Sequence, residues 1–327
     1  PDFADAWSNA GRSLLEMGRF EEALPRWDTA IRFHENHRDA WLNRGVAYER
    51  HGRLAEASRD YQHVLASHPG CANAWYNYGN LQEKLGRTSE AQVCFRNAVK
   101  LQPRQPDFYN NLGNSMRDDT ARNNEALHSY SSAIALKPSF LGARFNKASL
   151  LDSMQRQHEA IVEYTAVLDL DPSYRQARVA RGNAYLGSEQ LDRAEADYRD
   201  ALRADPQSAS ELNNLCLVLH RLDRLEEALA TCRDALAVDI THVLSWYNLG
   251  TTQHKMGLAT SDTGARSQLY DASVSSYRRV VSDQPGWVTA WESLQKLLES
   301  AGRMDEASDS GEHASALRRS LLAVDTG

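Results

Sequence analysis

The sequence predicts an all-α solenoid, a stack of helical hairpins, on three observations. Trp7, Trp41 and Trp75 stand thirty-four residues apart, and the same interval brings Tyr109 into register. Pro69, Pro103, Pro138, Pro172, Pro206 and Pro285 form a second series at nearly that spacing. Between the two markers, apolar residues recur at intervals of three and four in two short segments, which describes two amphipathic helices joined by a tight turn. A period of this size sets the architecture ahead of local propensity, because such a unit buries its apolar face only against its neighbours.

The unit can be justified element by element on residues 41–69. The first helix carries Trp41, Gly45 and Tyr48, a break falls at Gly52-Arg53, the second helix carries Ala57, Tyr61 and Val64, and Pro69 closes the unit. Gly18, Gly52, Gly86, Gly257 and Gly302 occupy the break, where glycine adopts left-handed backbone without steric penalty. The prolines lack the amide hydrogen that would let the second helix continue. Small residues mark the close approach of the two helices: Gly45, Gly79, Gly113 and Gly182 in the first, Ala57, Ala91, Ala126, Ala160, Ala194 and Ala228 in the second. Trp27, Tyr61, Phe95, Tyr130, Tyr164 and Tyr198 are expected to fill the space between neighbouring repeats. Each such burial contributes about 2 kcal/mol.

The order aromatic, Leu or similar, Gly, Tyr, Ala, Phe or Tyr, Ala, Pro resembles the tetratricopeptide repeat over almost the whole chain. The resemblance implies a right-handed α-solenoid superhelix of about nine repeats, one domain over 1–327, with units at 4–37, 38–71, 72–105, 106–140, 141–174, 175–208, 209–242, 243–287 and 288–321. Four units depart from the pattern. The seventh has Cys216 for the small glycine and Ile240 for the proline, and the ninth has Gln295 and Gly311, from which weak packing is expected. The fourth gains one residue around Asp118–Arg122, and the eighth gains eleven in a stretch about 258–272. Their polar, Ser/Thr/Gly-containing composition predicts exposed turns.

The formal charge of -7 is spread evenly, with no basic run, which argues against nucleic acid as the main partner. No apolar stretch reaches the length of a membrane span. A soluble intracellular protein is expected, in the cytoplasm first; because the chain starts at Pro1 without an initiator Met or signal-like segment, its N-terminus is expected to be incomplete, and an organelle such as the chloroplast or mitochondrion is the alternative. Cys71, Cys94, Cys216 and Cys232 show no CxxC or zinc spacing and are expected as reduced, small apolar residues; the alternative is that Cys216 and Cys232, at two core positions of one repeat, approach each other.

Catalytic signatures are missing, so no catalytic residue, metal ligand or cofactor is expected. His34-Glu35-Asn36-His37 spaces its histidines three apart, where a zinc-protease helix needs four. Glu22, Glu56, Glu90, Glu125, Glu159, Glu227 and Glu306 all precede the signature Ala at the start of the second helix, where a negative charge complements the helix dipole.

What the sequence offers instead is a lining. In the superhelix that the resemblance implies, first helices form the concave wall, and the position two after the aromatic marker faces it. That position reads Asn9, Asn43, Asn77, Asn111, Asn146, Asn214 and Asn248, a ladder of groups that both donate and accept. In similar repeat proteins asparagines there hold peptide main chain. Tyr76, Asn77, Asn80, Asn110, Asn111 and Asn114 make a denser patch, and Tyr247 offers an apolar anchor further along. The preceding position carries no lysine, reading Ser8, Leu42, Tyr76, Asn110, Phe145, Val179, Asn213, Tyr247 and Glu292, which excludes the carboxylate clamp that related domains use for chaperone C-termini. The expected function is a non-catalytic scaffold binding an extended peptide or protein segment within a multiprotein complex. The alternatives are the substrate-recognition region of a larger glycosyltransferase and an architectural subunit of a large assembly.

Overall fold

A computed structural model describes residues 2–324, which among them form eighteen α-helices, one short 3-10 turn and no strand. The chain divides into two compact units, one ending at Met154 and the other beginning at Gln155. The first contains α1 (Asp2–Glu16), α2 (Phe20–Phe33), α3 (Arg38–Arg50), α4 (Leu54–Ser67), α5 (Ala72–Lys84), α6 (Thr88–Leu101), α7 (Pro106–Asn114), η1 (Thr120–Arg122), α8 (Asn123–Leu136) and α9 (Leu141–Ser153). The second contains α10 (Gln157–Leu170), α11 (Arg175–Gly187), α12 (Leu191–Ala204), α13 (Ala209–Arg221), α14 (Leu225–Val238), α15 (Val243–Ala259), α16 (Thr263–Asp283), α17 (Val288–Ser300) and α18 (Met304–Val324). Within each unit successive helices pack on one another in chain order, so each is an all-α solenoid of repeats.

A glycine in the first helix and an aromatic in the second close most hairpins. A methyl group on Gly45 would lie 2.8 Å from the Tyr61 ring, on Gly79 2.7 Å from Phe95, and on Gly182 3.0 Å from Tyr198. Only a residue without a Cβ lets the ring lie flat on the backbone. Tyr61 also reaches the next repeat, meeting Tyr78 edge-on at 6.5 Å, whereas Phe95 tilts against Tyr76 of its own hairpin at 6.0 Å. Two hairpins add a buried ion pair. Arg44 grips Asp60 through two bonds of 2.8 Å and reaches Asp28 of the preceding repeat at 2.5 Å. Arg181 holds Asp197 at 2.8 and 2.7 Å and Thr165 at 3.2 Å.

The turns differ in part from expectation. Gly18, Gly52, Gly86 and Gly302 have φ of +73 to +76°, and the next residue's amide reaches back five residues, as from Arg53 to the Tyr48 carbonyl at 2.9 Å. Gly257 is not at a break: it lies inside α15, where a Cβ would come 2.5 Å from Tyr270. In the second unit the left-handed position falls to Gln155, Glu189 and Asp223, at φ 60, 62 and 62°. The turns between repeats are tied by a donor at the aromatic marker. The indoles of Trp75, Trp246 and Trp291 donate to the carbonyls of Pro69, Ile240 and Pro285 at 2.8–2.9 Å, and Arg144 and Arg178 do the same to Pro138 and Pro172.

Three departures resolve differently from the sequence reading. The eighth-repeat insertion is not a loop: α15 runs 17 residues against 13 in α13, and α16 runs 21 against 14 in α14, with only 260–262 between them. The ninth repeat inverts the small–large pair, since a Cβ on Gly311 would meet Gln295 at 2.9 Å, and Leu294, Leu297, Leu298 and Ala307 are buried around it. In the seventh repeat Cys216 and Cys232 are joined in a disulfide and are not the free thiols expected, because α13 and α14 bring their Cα atoms to 5.4 Å. Cys71 and Cys94 are free.

Candidate functional site

First helices present the asparagines, and their side chains bond largely to one another. In the first unit Asn111 of α7 donates to the Tyr76 hydroxyl at 3.0 Å and to Asn80 Oδ1 at 2.9 Å, both on α5. Its own oxygen accepts from Asn110 at 3.1 Å. Asn146 of α9 donates to Asn110 at 3.1 Å and Asn114 at 3.0 Å, and Asn114 also accepts from the Tyr130 hydroxyl at 2.9 Å. One chain of amides thus ties three first helices. Asn9, Asn43 and Asn77 stand apart: among the described residues none of them makes a side-chain hydrogen bond, with Asn9 exposed and the other two half-buried.

The second unit repeats the device with partly different residues. Asn214 donates to Asn183 at 3.1 Å, and Asn248 donates to Asn213 at 2.9 Å. The sequence reading left Asn183 and Asn213 out of the site. Asn183 stands three residues after its ladder position, where Asn80 and Asn114 also stand, and that register is the signal that would have found it. A ladder asparagine donating backwards to the preceding repeat is the common arrangement.

Aromatic anchors sit beside both sets. Tyr76 stacks on Phe108 at 4.8 Å, and burial pushes its hydroxyl pKa up. Tyr247 stacks on Trp287 at 4.7 Å and meets the Ser293 hydroxyl at 3.1 Å. At the turn end of the first set, Glu83, Asn114, Asp118 and Asp119 line an open cavity of about 440 Å³. Burial pushes the carboxyls of Glu83 and Asp152 up, and neither has an ion pair among the described residues.

This arrangement offers hydrogen-bond donors and acceptors. An Asn amide has two N–H donors and two oxygen lone pairs, so Asn111, with both donors engaged, keeps mainly acceptor capacity, whereas Asn43 and Asn77 keep both kinds. His37 is held as a cap, accepting from the Ala40 amide at 3.1 Å while its other nitrogen meets Asp5 at 2.9 Å. Glu22, Glu159, Glu227 and Glu306 pair with the arginine three residues earlier at 2.6–2.7 Å. Among the described residues no group of three or more His, Cys, Asp or Glu is placed to hold a metal ion, and no helix is long and apolar enough to cross a membrane.

Sequence profiles described as tetratricopeptide repeat match residues 8–62 and 179–241, 72–105 and 141–174. No curated protein sequence is similar enough to match the chain. Among solved structures, a tetratricopeptide repeat protein from Parabacteroides merdae is 16% identical, with TM-score 0.54 over 77% of this chain and 99% of that one. PilF of Pseudomonas aeruginosa is 20% identical, with TM-score 0.56 over 63% and 94%. The Cut9–Hcn1 hetero-tetramer of the APC/C is 17% identical, with TM-score 0.53 over 76% and 49%. At such identities the likeness concerns the fold.

Proposed function

This chain belongs to the tetratricopeptide repeat family, whose members are generally non-catalytic scaffolds for protein partners, and on that footing we propose that its first helices hold an extended peptide segment of a partner protein. The observation that carries the reading is the amide chain from Tyr76 to Asn146, next to the unengaged Asn43 and Asn77. Amides already fixed by their neighbours lose little conformational freedom when a ligand binds, which lowers the cost of association. Their spare oxygens suit a ligand that donates, such as main-chain N–H groups, and Tyr76 offers an apolar face for its side chains.

Asn43 and Asn77 are the residues to test, because Asn111 and Asn114 also hold neighbouring repeats together. Extended peptides selected from a displayed random library against the whole chain are expected to weaken on Asn43→Ala/Asn77→Ala by about 0.5–1.5 kcal/mol per lost hydrogen bond. Peptides that bind the double variant unchanged, with its melting temperature intact, reject the reading.

The elongated α15–α16 hairpin favours a second reading, an architectural subunit fixed to an assembly through those extra turns. That reading requires cross-links to co-purified proteins concentrated on second helices and on 258–272.

A further inference from the structure

The residue 16 places beyond the glycine of the first helix is the aromatic plug in four hairpins, where Gly11 faces Trp27, Gly45 Tyr61, Gly79 Phe95 and Gly182 Tyr198, and in a fifth Gly113 faces Tyr130 after one added residue. In the seventh repeat the same two positions are Cys216 and Cys232. Both sulfurs are fully buried, in a cluster with Leu215, Val218, Leu219 and Leu236 that holds no aromatic from α13 or α14. The bond therefore stands in for the ring. Its neighbours in the stack, Gly182–Tyr198 and Gly250–Tyr277, keep the ordinary pair.

We propose that the seventh repeat is a redox-conditional joint of the second unit: oxidised, the Cys216–Cys232 bond closes the α13–α14 hairpin, and reduced, the hairpin opens and parts the repeats on either side. Two small thiols cannot plug the hairpin as tyrosine does, so the reduced form loses its closing contact. In a stack whose repeats touch only their neighbours, one weak member interrupts cooperativity on both sides. The chemistry is thiol–disulfide exchange. On closing, the two thiols give up two protons and two electrons to a low-molecular-weight disulfide, which leaves as two thiols. A dithiol runs the exchange backwards and ends as its own cyclic disulfide. Because neither sulfur is exposed, a reductant reaches the bond only when the hairpin opens locally.

The whole chain supplies the test. Alkylation in denaturant without reductant is expected to label two cysteines, Cys71 and Cys94; labelling of all four overturns the proposal. Dithiothreitol is expected to speed amide exchange across 209–238 on the order of 100-fold, since the bond joins positions 16 apart, and oxidised glutathione restores protection. Cys216→Gly/Cys232→Tyr installs the ordinary pair and is expected to exchange slowly with or without dithiothreitol. Exchange in the parent chain that ignores reduction, or in the double variant that still responds to it, overturns the proposal.

Discussion

The first unit closes its hairpins with glycine turns and glycine–aromatic pairs, while the second keeps that pair in Gly182–Tyr198 and Gly250–Tyr277 and the glycine turn at Gly302, and reaches the same geometry elsewhere with substitutes. Gly52 and Gly86 hold the left-handed turn in one, Glu189 and Asp223 in the other. Rings over glycine close α3–α4 and α5–α6, a disulfide closes α13–α14, and Gly311 opposite Gln295 closes α17–α18 in reverse. The comparison teaches that the repeat constrains volume and backbone angle at a few positions, and that the side-chain chemistry meeting those constraints is free to vary.

Breaking the buried ion pair found in each unit should give the largest effect. Asp197→Leu leaves Arg181 with no carboxylate, only the Thr165 hydroxyl, and is expected to cost about 3–5 kcal/mol by urea unfolding, whereas Asp60→Leu leaves Arg44 its pair with Asp28 and should cost less. A loss at Asp197→Leu no larger than at Asp60→Leu would mean that the Arg181 guanidinium finds water. The amide network comes next. Asn111→Ala removes bonds to Tyr76 and Asn80 and should cost about 1–3 kcal/mol of stability, against less than about 0.5 kcal/mol for Asn77→Ala.

Acid should separate the units more gently. Burial holds the imidazoles of His220 and His254 below their ordinary range, and Lys255 adds to the effect at His220. A histidine buried in its neutral form stabilises fully above its unfolded pKa of about 6.5, and that contribution is lost as pH falls through and below it. Hydrogen exchange at pH 5.5 and 7.5, corrected for intrinsic rates, should show α13 and α15 losing protection at the lower pH, and His220→Gln/His254→Gln should flatten the difference. The turns carry the smallest effect. Glu189→Gly relieves a left-handed non-glycine residue and should stabilise the second unit by about 1 kcal/mol, less what the ion pair with Arg221 supplies. Gly86→Ala should cost a similar amount in the first.

Much of the hairpin was legible because its constraints recur: the turn glycines, the buried alanines and the plugging rings each appear at a fixed place in the period. Features that keep the geometry and change the chemistry were not. Cys216 and Cys232 carry no motif of their own; the sequence offered their approach only as the lesser alternative, and the bond becomes evident when they are aligned with Gly182 and Tyr198. The 258–272 stretch reads as a turn by composition, yet Gly257 and Tyr270 lie seven residues from Gly250 and Tyr277, two helical turns along, and repeat the same close contact. Arg144 and Arg178 break the aromatic series but supply the same donor to the turn carbonyl. The asparagine ladder was visible as a register. The direction of its hydrogen bonds was not, because an amide's orientation is set by partners from another repeat.

The first-helix amides are the proposed place where this protein meets its ligand. The most direct measurement follows side-chain carboxamide resonances by nitrogen–proton NMR as a selected peptide is added to the whole chain. Shifts at Asn43, Asn77, Asn111 and Asn146 with the second helices unmoved are the predicted result. Shifts confined to second helices or to the α15–α16 hairpin would contradict it.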